Sequence, residues 1–433
     1  MDTTPFFTQD TIVFGILMLT LGFVFYTSTS SNSGWKKFYK YVPALLMAYM
    51  LPAIFTSTGI ISPEWETVNE TGEITKHGSQ LYYIASRFLL PAALVLMTLS
   101  IDLKAVFNLG PKALIMFLTG TVGIIIGGPL AVLLISIISP ETVGGVGPDA
   151  VWRGLATLAG SWIGGGANQA AMLEIYHFNT KNYASFVIVD IVVANIWMAI
   201  LLLGIGKTEK IDKWLKADSS AIETLKEKVS SYSAKTNRNP TLSDLMVILS
   251  IAFVTVGASH FGADVISNFL TTNFDAVRDK TSAFSSFGSQ FFWMISIATI
   301  IGILFSFTKL KSYEGAGASK IGSVFIYILV ASIGMKMDLT QIFDNPGLLF
   351  VGLIWMTTHV ILLIIVAKLI KAPFFFLAIG SQANVGGAAS APVVAAAFHP
   401  SLATVGVLLA VFGYVVGTYG AMFTAELMRI VAP

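Results

Sequence analysis

Long uninterrupted runs of apolar residues make up most of the chain, and polar residues fall in short stretches between them. A helix needs about 20 apolar residues to cross the roughly 30 Å of hydrocarbon in a membrane. Because apolar and polar positions do not alternate, the runs favour membrane-spanning helices over the strands of a β-barrel. Ten windows predict spans: 11–28, 41–59, 80–100, 113–138, 184–206, 242–260, 288–307, 321–337, 347–369 and 403–428.

Two further apolar windows, 150–177 and 373–398, are interrupted in the middle by glycine and small polar residues. Backbone groups at membrane depth have to be hydrogen-bonded within the protein or line a wet cavity. Each window therefore predicts a broken helical element. It either crosses the membrane or enters and leaves by the same face as a re-entrant hairpin.

Composition supports a membrane protein and excludes several classes. The chain has 433 residues, of which 55% are hydrophobic and 12% charged, about half the usual charged share. This composition excludes a water-soluble enzyme and a disordered protein, and a net charge of +2 offers no basic stripe for nucleic acid. The absence of cysteine excludes disulfides and thiolate chemistry. The expected fold class is an all-α polytopic membrane protein.

Thirteen of the 50 charged residues lie in 207–238, as eight Lys or Arg and five acids. Cytoplasmic loops carry an excess of Lys and Arg. Ten crossings with two hairpins put this stretch and the later basic loops on the cytoplasmic side, whereas twelve crossings do not. A missed crossing between 139 and 206 would give the same parity as the hairpins.

We expect a first repeat at 1–206, a polar linker at 207–240 with some helical pattern at 222–229, and a second repeat at 241–433.

The two halves carry similar motifs in the same order. Asp102-Leu103-Lys104-Ala105-Val106-Phe107 corresponds to Asp338-Leu339-Thr340-Gln341-Ile342-Phe343, and each precedes a long span and then a broken window. The charges place these two loops on opposite faces, so the repeats are expected to be inverted. Inverted repeats with matching interruptions are typical of secondary transporters, with the binding site at the interruptions.

The interruptions are the candidate substrate site. Each half-helix that starts there directs a partly positive N-terminus toward the break, and the amide and hydroxyl side chains suit a polar or anionic organic solute. The alternative is that these groups only cap the hairpin tips. The candidate substrate-binding residues are Ser161, Gly165, Gly166, Asn168, Gln169, Ser381, Gln382, Asn384, Gly386, Gly387 and Ser390.

Ionisable residues inside spans are costly and are candidates for function. Asp190 lies well inside its span with no Lys or Arg nearby in sequence, and Asn195 follows in the same helix. We expect Asp190 and Asn195 to bind the coupling ion, H⁺ or Na⁺; the alternative is that Asp190 caps a backbone break. Glu174, Arg87 and His359 are weaker candidates. No catalytic residue, metal site or cofactor is expected.

The stretches Gly-Ser-Trp-Ile-Gly-Gly-Gly-Ala-Asn-Gln and Gly-Ser-Gln-Ala-Asn-Val-Gly-Gly-Ala-Ala-Ser-Ala-Pro resemble an uncharacterised family of bacterial and plant-organelle membrane proteins, the YjcL-like family of unknown function. That family resembles the cation:proton antiporter and anion transporter superfamily. The resemblance implies inverted repeats, a core domain with two broken elements, a scaffold domain that forms a homodimer, and elevator-like transport. Sodium/proton antiporters of this kind carry paired acids in the core, whereas this chain has only Asp190 there.

The expected function is secondary active transport of a small polar or anionic solute, coupled to H⁺ or Na⁺. The alternative is a monovalent cation/proton antiporter. A membrane-embedded enzyme would need a second acid beside Asp190 or a base beside Ser161, and a channel fits inverted breaks less well. The expected location is the cell membrane, most simply the bacterial cytoplasmic membrane, with the lipid bilayer and a second subunit as partners and without nucleic acid.

Overall fold

The apolar windows fold as helices in the computed structural model, which describes residues 4–39, 42–68, 74–101, 103–218, 222, 239–279, 285–340, 345–399 and 402–433. The helices are α1 (Asp10–Ser28), α2 (Ser33–Tyr39), α3 (Ala44–Ser57), α4 (Leu81–Leu99, with a π-helical turn at Ala85–Leu89), α5 (Leu103–Asn108), α6 (Pro111–Ile138), α7 (Pro140–Val143), α8 (Val151–Ile175), α9 (Tyr183–Ile205), α10 (Thr208–Leu215), α11 (Leu242–Asn273), α12 (Asp275–Arg278), α13 (Gln290–Ser306), α14 (Ala318–Lys336), α15 (Gly347–Leu369), α16 (Phe374–Val385), α17 (Gly387–Phe398) and α18 (Ala403–Val431). Short 3₁₀ turns lie at Gly147–Asp149, Thr180–Asn182, Ser285–Gly288 and Lys309–Ala316.

The protein is a multi-span membrane protein. Within the described residues, eight helices are long and apolar enough to cross a membrane, and ten if two bent pairs each count as one span. The bent pairs are α2 with α3, at 88°, and α13 with the 3₁₀ turn that follows it, at 97°. The ten predicted windows are therefore helical, with two of them shorter than the apolar runs suggested.

The fold is helical as expected, with a short two-stranded sheet in one loop. Strands β1 (Glu64–Val68) and β2 (Ile74–Gly78) form an antiparallel hairpin between α3 and α4. Trp65 stacks on His77 with ring centroids 5.6 Å apart, and neighbouring cross-strand pairs stabilise such ribbons.

The spans pack into two groups. The hairpin bundle comprises α6, α8, α9, α15, α16, α17 and α18, and the companion bundle comprises α1, α3, α4, α11, α13 and α14. Glycines allow the close approach of helices in the hairpin bundle. A Cβ at Gly123 of α6 would lie 2.9 Å from the Cα of His359 in α15, and one at Gly417 of α18 would lie 2.6 Å from the Cα of Gly164 in α8.

Hydrogen bonds between loops show which loops lie at the same end of the molecule, and Lys371 and Asp338 mark opposite ends because α15 lies between them. At one, which we name the linker end, Lys112 Nζ lies 3.1 Å from Asp218 Oδ2 and donates to the Lys371 carbonyl at 3.3 Å. At the opposite end, the Asp338 N–H donates to the Lys181 carbonyl at 3.2 Å. Only one crossing, α6, therefore separates Lys112 from Lys181. The window between them enters and leaves at the same end.

Some sequence predictions fall outside the described residues. They are the repeat markers Asp102 and 341–343, and most of the linker, from 219 to 238 apart from Ile222. The start of the linker is the helix α10, which contacts the hairpin bundle through Asp212. Its Oδ1 accepts the N–H of Phe374 at 2.7 Å, at the start of α16.

Candidate functional site

The first broken window is a helical hairpin. The Asn179 N–H donates to the Pro148 carbonyl at 3.0 Å, so the segment begins and ends at one place. Within α8 the chain turns at Gly165, whose φ of 71° and ψ of −172° are non-helical. A Cβ at Gly160 would lie 2.6 Å from the carbonyl oxygen of Asn168. Because eight residues of straight helix span about 12 Å, the two arms run back along each other.

The second broken window has the same form and enters from the linker end. Its first and last turns meet where the Phe375 and Phe398 rings lie 5.3 Å apart. Gln382 of α16 donates from Nε2 to Oγ of Ser390 in α17 at 2.7 Å, across the turn. The turn is at Gly387, which has a φ of +54°. Of the two alternatives for the broken windows, the hairpin is therefore the one that describes both.

The tips of the two hairpins meet. A Cβ at Gly387 would lie 3.7 Å from the Cα of Gly165, with nothing else nearer. Around this contact Gly165, Gly166 and Gly386 are half-buried, whereas the arms that lead into the two tips are buried. A Cβ at Gly165 would lie 3.5 Å from the ring of Tyr414 in α18. Main-chain atoms of the glycines are therefore partly accessible where the tips meet.

Asp190 of α9 is bound by the first hairpin. Its side chain is buried, at 4% exposure, and accepts from Ser161 Oγ at 2.8 Å, Trp162 Nε1 at 2.6 Å and Gln169 Nε2 at 3.0 Å. Two of these donors precede the break and one follows it, so the carboxylate joins both arms. None of the described Lys and Arg side chains forms an ion pair with it, so the site holds a carboxylate among neutral donors only.

Ser381 of the second hairpin belongs to a polar chain through the hairpin bundle. Trp197 Nε1–H donates to Ser381 Oγ at 2.7 Å, and Ser381 lies 2.8 Å from His359 Nε2. His359 Nδ1 lies 2.9 Å from the Gly120 carbonyl, which can only accept. The histidine therefore carries its proton on Nδ1 and accepts from Ser381. This arrangement is that of a satisfied core histidine.

The two asparagines fasten the hairpins to the long helices beside them. Asn168 donates from Nδ2 to the carbonyl of the residue four earlier, and its Oδ1 accepts from Thr418 of α18. Asn384 makes the same bond four residues back, at 2.8 Å, and its Oδ1 accepts from Thr121 of α6 at 2.8 Å. Both amides are fully buried. Their bonds within the protein are those of tip anchors, which was the alternative to substrate contact.

The structure thus divides the sequence-predicted residues. Ser161, Gln169 and Asp190 come together, as do the four glycines at the tips with Gln382 and Ser390 beside them. Asn195 does not join Asp190, because its Nδ2 donates to the Ile191 carbonyl at 2.7 Å. Gln382 Oε1 is buried and has no hydrogen-bond partner among the described residues, which leaves one acceptor beside the tips for a ligand.

Sequence reasoning missed the residues that hold these groups: Thr121, Trp162, Trp197 and Thr418. The indole N–H groups lie inside apolar runs, where tryptophan usually indicates only packing or an interface. The two threonines lie on α6 and α18, beside glycine pairs at a spacing of four, Gly123 and Gly127 in α6 and Gly413 and Gly417 in α18. This spacing is typical of closely packed membrane helices, and it is a sequence signal that could have indicated contact with the hairpins.

Glu174 links the two bundles. It is buried at the end of the first hairpin, where it accepts from the Tyr82 hydroxyl and from Arg87 NH1, the latter at 2.5 Å. Tyr82 and Arg87 both belong to α4 of the companion bundle. The two weaker sequence candidates, Glu174 and Arg87, are therefore partners of each other. Across the described residues, no group of three or more His, Asp and Glu is placed to hold a metal ion.

Comparison with known proteins identifies the family. The family described as "Protein of unknown function (DUF819)" matches residues 15–431, and the chain belongs to it. The chain is also similar to "Uncharacterized membrane protein YjcL" of Bacillus subtilis (strain 168), with 24% identity over 390 residues, 88% of this chain and 89% of that protein. Neither description assigns an activity.

Proposed function

We propose that this DUF819 protein is a secondary active transporter of a small polar or anionic organic solute, coupled to H⁺ or Na⁺. One observation carries the proposal: two helical hairpins enter one bundle from opposite ends, and their glycine tips, Gly165 and Gly387, meet inside it. Irregular backbone inside a membrane protein is tolerated where it is buried or lines a cavity. Broken elements that meet between two repeats are the usual place for a transporter's substrate.

The tips supply the groups that such a solute needs. The second arm of the first hairpin and helix α17 both begin at the tips, so two partly positive helix ends point at the same region. Gln382 Oε1 is a buried acceptor without a partner among the described residues, and a hydrogen bond from a ligand to such an atom stabilises the complex. An organic solute with a negative group and an N–H or O–H donor would match both the helix ends and this acceptor.

Asp190 is the proposed site of the coupling ion. The carboxylate is buried among three neutral donors, and no Lys or Arg of the described residues pairs with it. Its negative charge would therefore be balanced by binding one proton or one Na⁺. Its ligands Ser161 and Gln169 belong to the hairpin whose tip forms the solute site. Binding of the ion at Asp190 would fix both arms and so favour solute binding at the tip.

The order of the helices supports an inverted repeat and a moving bundle. In the first half α1, α3 and α4 enter the companion bundle, and α6, the first hairpin and α9 enter the hairpin bundle. In the second half α11, α13 and α14 do the same, followed by α15, the second hairpin and α18. We propose that the hairpin bundle moves against the companion bundle, which forms the homodimer, in a bacterial cytoplasmic membrane.

Proteoliposomes test this function. A metabolite screen by thermal shift identifies a stabilising solute, and uptake of that solute is then measured with and without a Na⁺ or pH gradient. We expect uptake only with a gradient, and loss of the gradient dependence in Asp190→Asn. Gradient-driven uptake by Asp190→Asn at the wild-type rate would exclude Asp190 as the coupling site.

The alternative is a monovalent cation/proton antiporter, and the same buried carboxylate favours it, since Asp190 alone would carry either ion. A pH-sensitive dye inside the vesicles separates the two functions. An antiporter changes the internal pH when Na⁺, K⁺ or Li⁺ is added without any organic solute. A solute transporter leaves the internal pH unchanged when these cations are added without the solute.

A further inference from the structure

A crevice separates the two bundles at the end where the first hairpin opens. It has a volume of about 800 Å³, within the range of cavities that hold small organic ligands. Arg153, Tyr176 and His177 line it from the hairpin bundle. Arg87 lines it from the companion bundle, and Arg278 lines it from the short helix α12 that follows α11 of that bundle. The crevice is thus formed by residues from both bundles and lies apart from the hairpin tips.

The lining is cationic. Its four arginines are Arg87, Arg153, Arg278 and Arg429, and its one acid is Glu426. Three of the arginines have acidic partners: Arg87 pairs with Glu174, Arg278 with Asp275, and Arg429 with Glu426. Within the described part of the chain, Arg153 forms no ion pair. The nearby acid Glu426 acts on its charge but is itself paired with Arg429.

Arg153 is held in place by groups that carry no charge. NH1 donates to the Tyr176 carbonyl, and the guanidinium lies over the Trp152 ring, 4.9 Å from the centroid. Its Nε is buried and has no hydrogen-bond partner among the residues that the structure describes. A buried N–H without an acceptor is costly, and a fixed guanidinium fork matches carboxylate and phosphate oxygens. The side chain is therefore preorganised toward an anion.

We propose that this crevice is an anion-binding vestibule, in which Arg153 binds the carboxylate or phosphate group of a soluble organic anion. The proposal rests on the transport function proposed above and narrows its solute to anions. An anionic lipid headgroup offers similar oxygens. The crevice is lined by residues of the first hairpin, such as Arg153 and Tyr176, and by residues of the companion bundle, so it lies beside the element that carries one of the two tips.

Calorimetry on the full chain in phosphatidylcholine nanodiscs tests the proposal, with succinate and glycerol 3-phosphate as probes and succinamide and glycerol as neutral counterparts. We expect at least one of the two anions to bind and neither neutral compound to bind. Loss of a charged hydrogen-bond partner predicts binding weaker by about tenfold or more in Arg153→Gln. Lys181→Gln, which removes an exposed cation at the same end, should leave the affinity within about twofold.

Arg153→Lys is the second variant, because it keeps the charge and loses the fork. It should bind the anion about threefold to tenfold more weakly, so the proposal stays testable if Arg153→Gln does not fold. Binding of neither anion, equal affinity in both Arg153 variants, or competition by phosphatidylglycerol with no binding of the soluble anions would overturn it.

Uptake measurements separate this proposal from the transport function. Uptake of a neutral solute that Arg153→Gln leaves unchanged would overturn the vestibule and leave the transporter. Arg153-dependent anion binding without gradient-driven uptake in proteoliposomes would overturn the transporter and leave the binding site.

Discussion

Gly165 and Gly387 meet where two hairpins from opposite ends of the molecule approach each other, with 3.7 Å between the Cα of the first and a Cβ on the second. Both have positive φ, 71° and 54°, a region that residues with a Cβ rarely adopt. Glycine therefore has two roles at these positions. It allows the turn, and it lets the two turns come together without side chains between them.

The first prediction concerns these turns. Gly165→Ala should lower the free energy of unfolding by about 1–3 kcal/mol, because its φ and ψ lie in a region that is essentially restricted to glycine. Gly387→Ala should cost about 1–2 kcal/mol, since its conformation is left-handed. Thermal unfolding in detergent, followed by tryptophan fluorescence, measures both.

Gly166→Ala is the matched control for the turns. Gly166 has no positive φ, and a Cβ there would lie 3.8 Å from Ile326, an ordinary contact. We expect its stability to change by less than about 0.5 kcal/mol. Equal losses in all three variants would contradict the assignment of the turns to Gly165 and Gly387.

The second prediction concerns Asp190. If the carboxylate binds the coupling ion, adding Na⁺ or lowering the pH raises the Tm of the wild type, because ligands stabilise the state that they bind. This response should vanish in Asp190→Asn and weaken in Ser161→Ala, which removes one of the three donors. Thr157→Val is the control: it removes a buried hydroxyl of the same arm that donates to the Gly154 carbonyl and not to Asp190, and the response should remain.

The third prediction concerns His359. His359→Phe leaves the Gly120 carbonyl and the Ser381 hydroxyl without this partner in a buried site, which should cost about 2–3 kcal/mol. His359→Gln supplies one donor and one acceptor and should lose less. Unfolding in increasing SDS, monitored by circular dichroism, compares the variants. A Phe variant as stable as the Gln variant would mean that the hydrogen bonds contribute nothing.

The fourth prediction concerns the bond between the bundles. Glu174→Gln removes the charge that Arg87 and Tyr82 share, and we expect a loss of about 1–3 kcal/mol because the glutamate is buried. Glu426→Gln removes a comparable ion pair with Arg429 within α18 alone and should cost about 0.5 kcal/mol. Thermal unfolding of the two variants side by side distinguishes a contact between bundles from one within a helix.

The fifth prediction concerns the linker helix. Burial raises the pKa of Asp212, which accepts the N–H of Phe374. The folded protein then holds this proton to higher pH than the unfolded chain does, so stability falls as the pH rises from the ordinary aspartate pKa through the raised one. Asp212→Asn should flatten the Tm in this window. An unchanged pH profile in the variant would show that Asp212 does not contribute to it.

The membrane spans and the two hairpins were within reach of sequence reasoning, because both depend on local pattern. Apolar length predicts a span, and a glycine run inside an apolar window predicts a break. The linker charges favoured the parity that hairpins give, but a missed crossing between 139 and 206 would have given the same parity. The structure agrees with the hairpins through the Asn179 to Pro148 hydrogen bond.

The contacts of the site were out of reach for a physical reason. Ser381 meets Trp197 across 184 residues of sequence, and Thr121 meets Asn384 across 263. Such pairs depend on how helices pack, which a single sequence does not reveal. The crevice has the same origin, because its arginines come from α4, α8, α12 and α18. For Asn168 and Asn384 the structure adds hydrogen bonds to α18 and α6 that the sequence pattern did not indicate, and their contact with a substrate stays a prediction.

The glycine tips have a consequence for reading other DUF819 sequences. The region where they meet is built from main chain, and main chain is the same in every sequence that can make the two turns. If the proposed transport function is right, discrimination between solutes comes from side chains that border the tips, such as Tyr414 from α18 and Ile326 from α14. On that proposal, identical glycine stretches do not imply identical solutes, and exchanging these flanking residues between two proteins of the family is expected to exchange their solute preference.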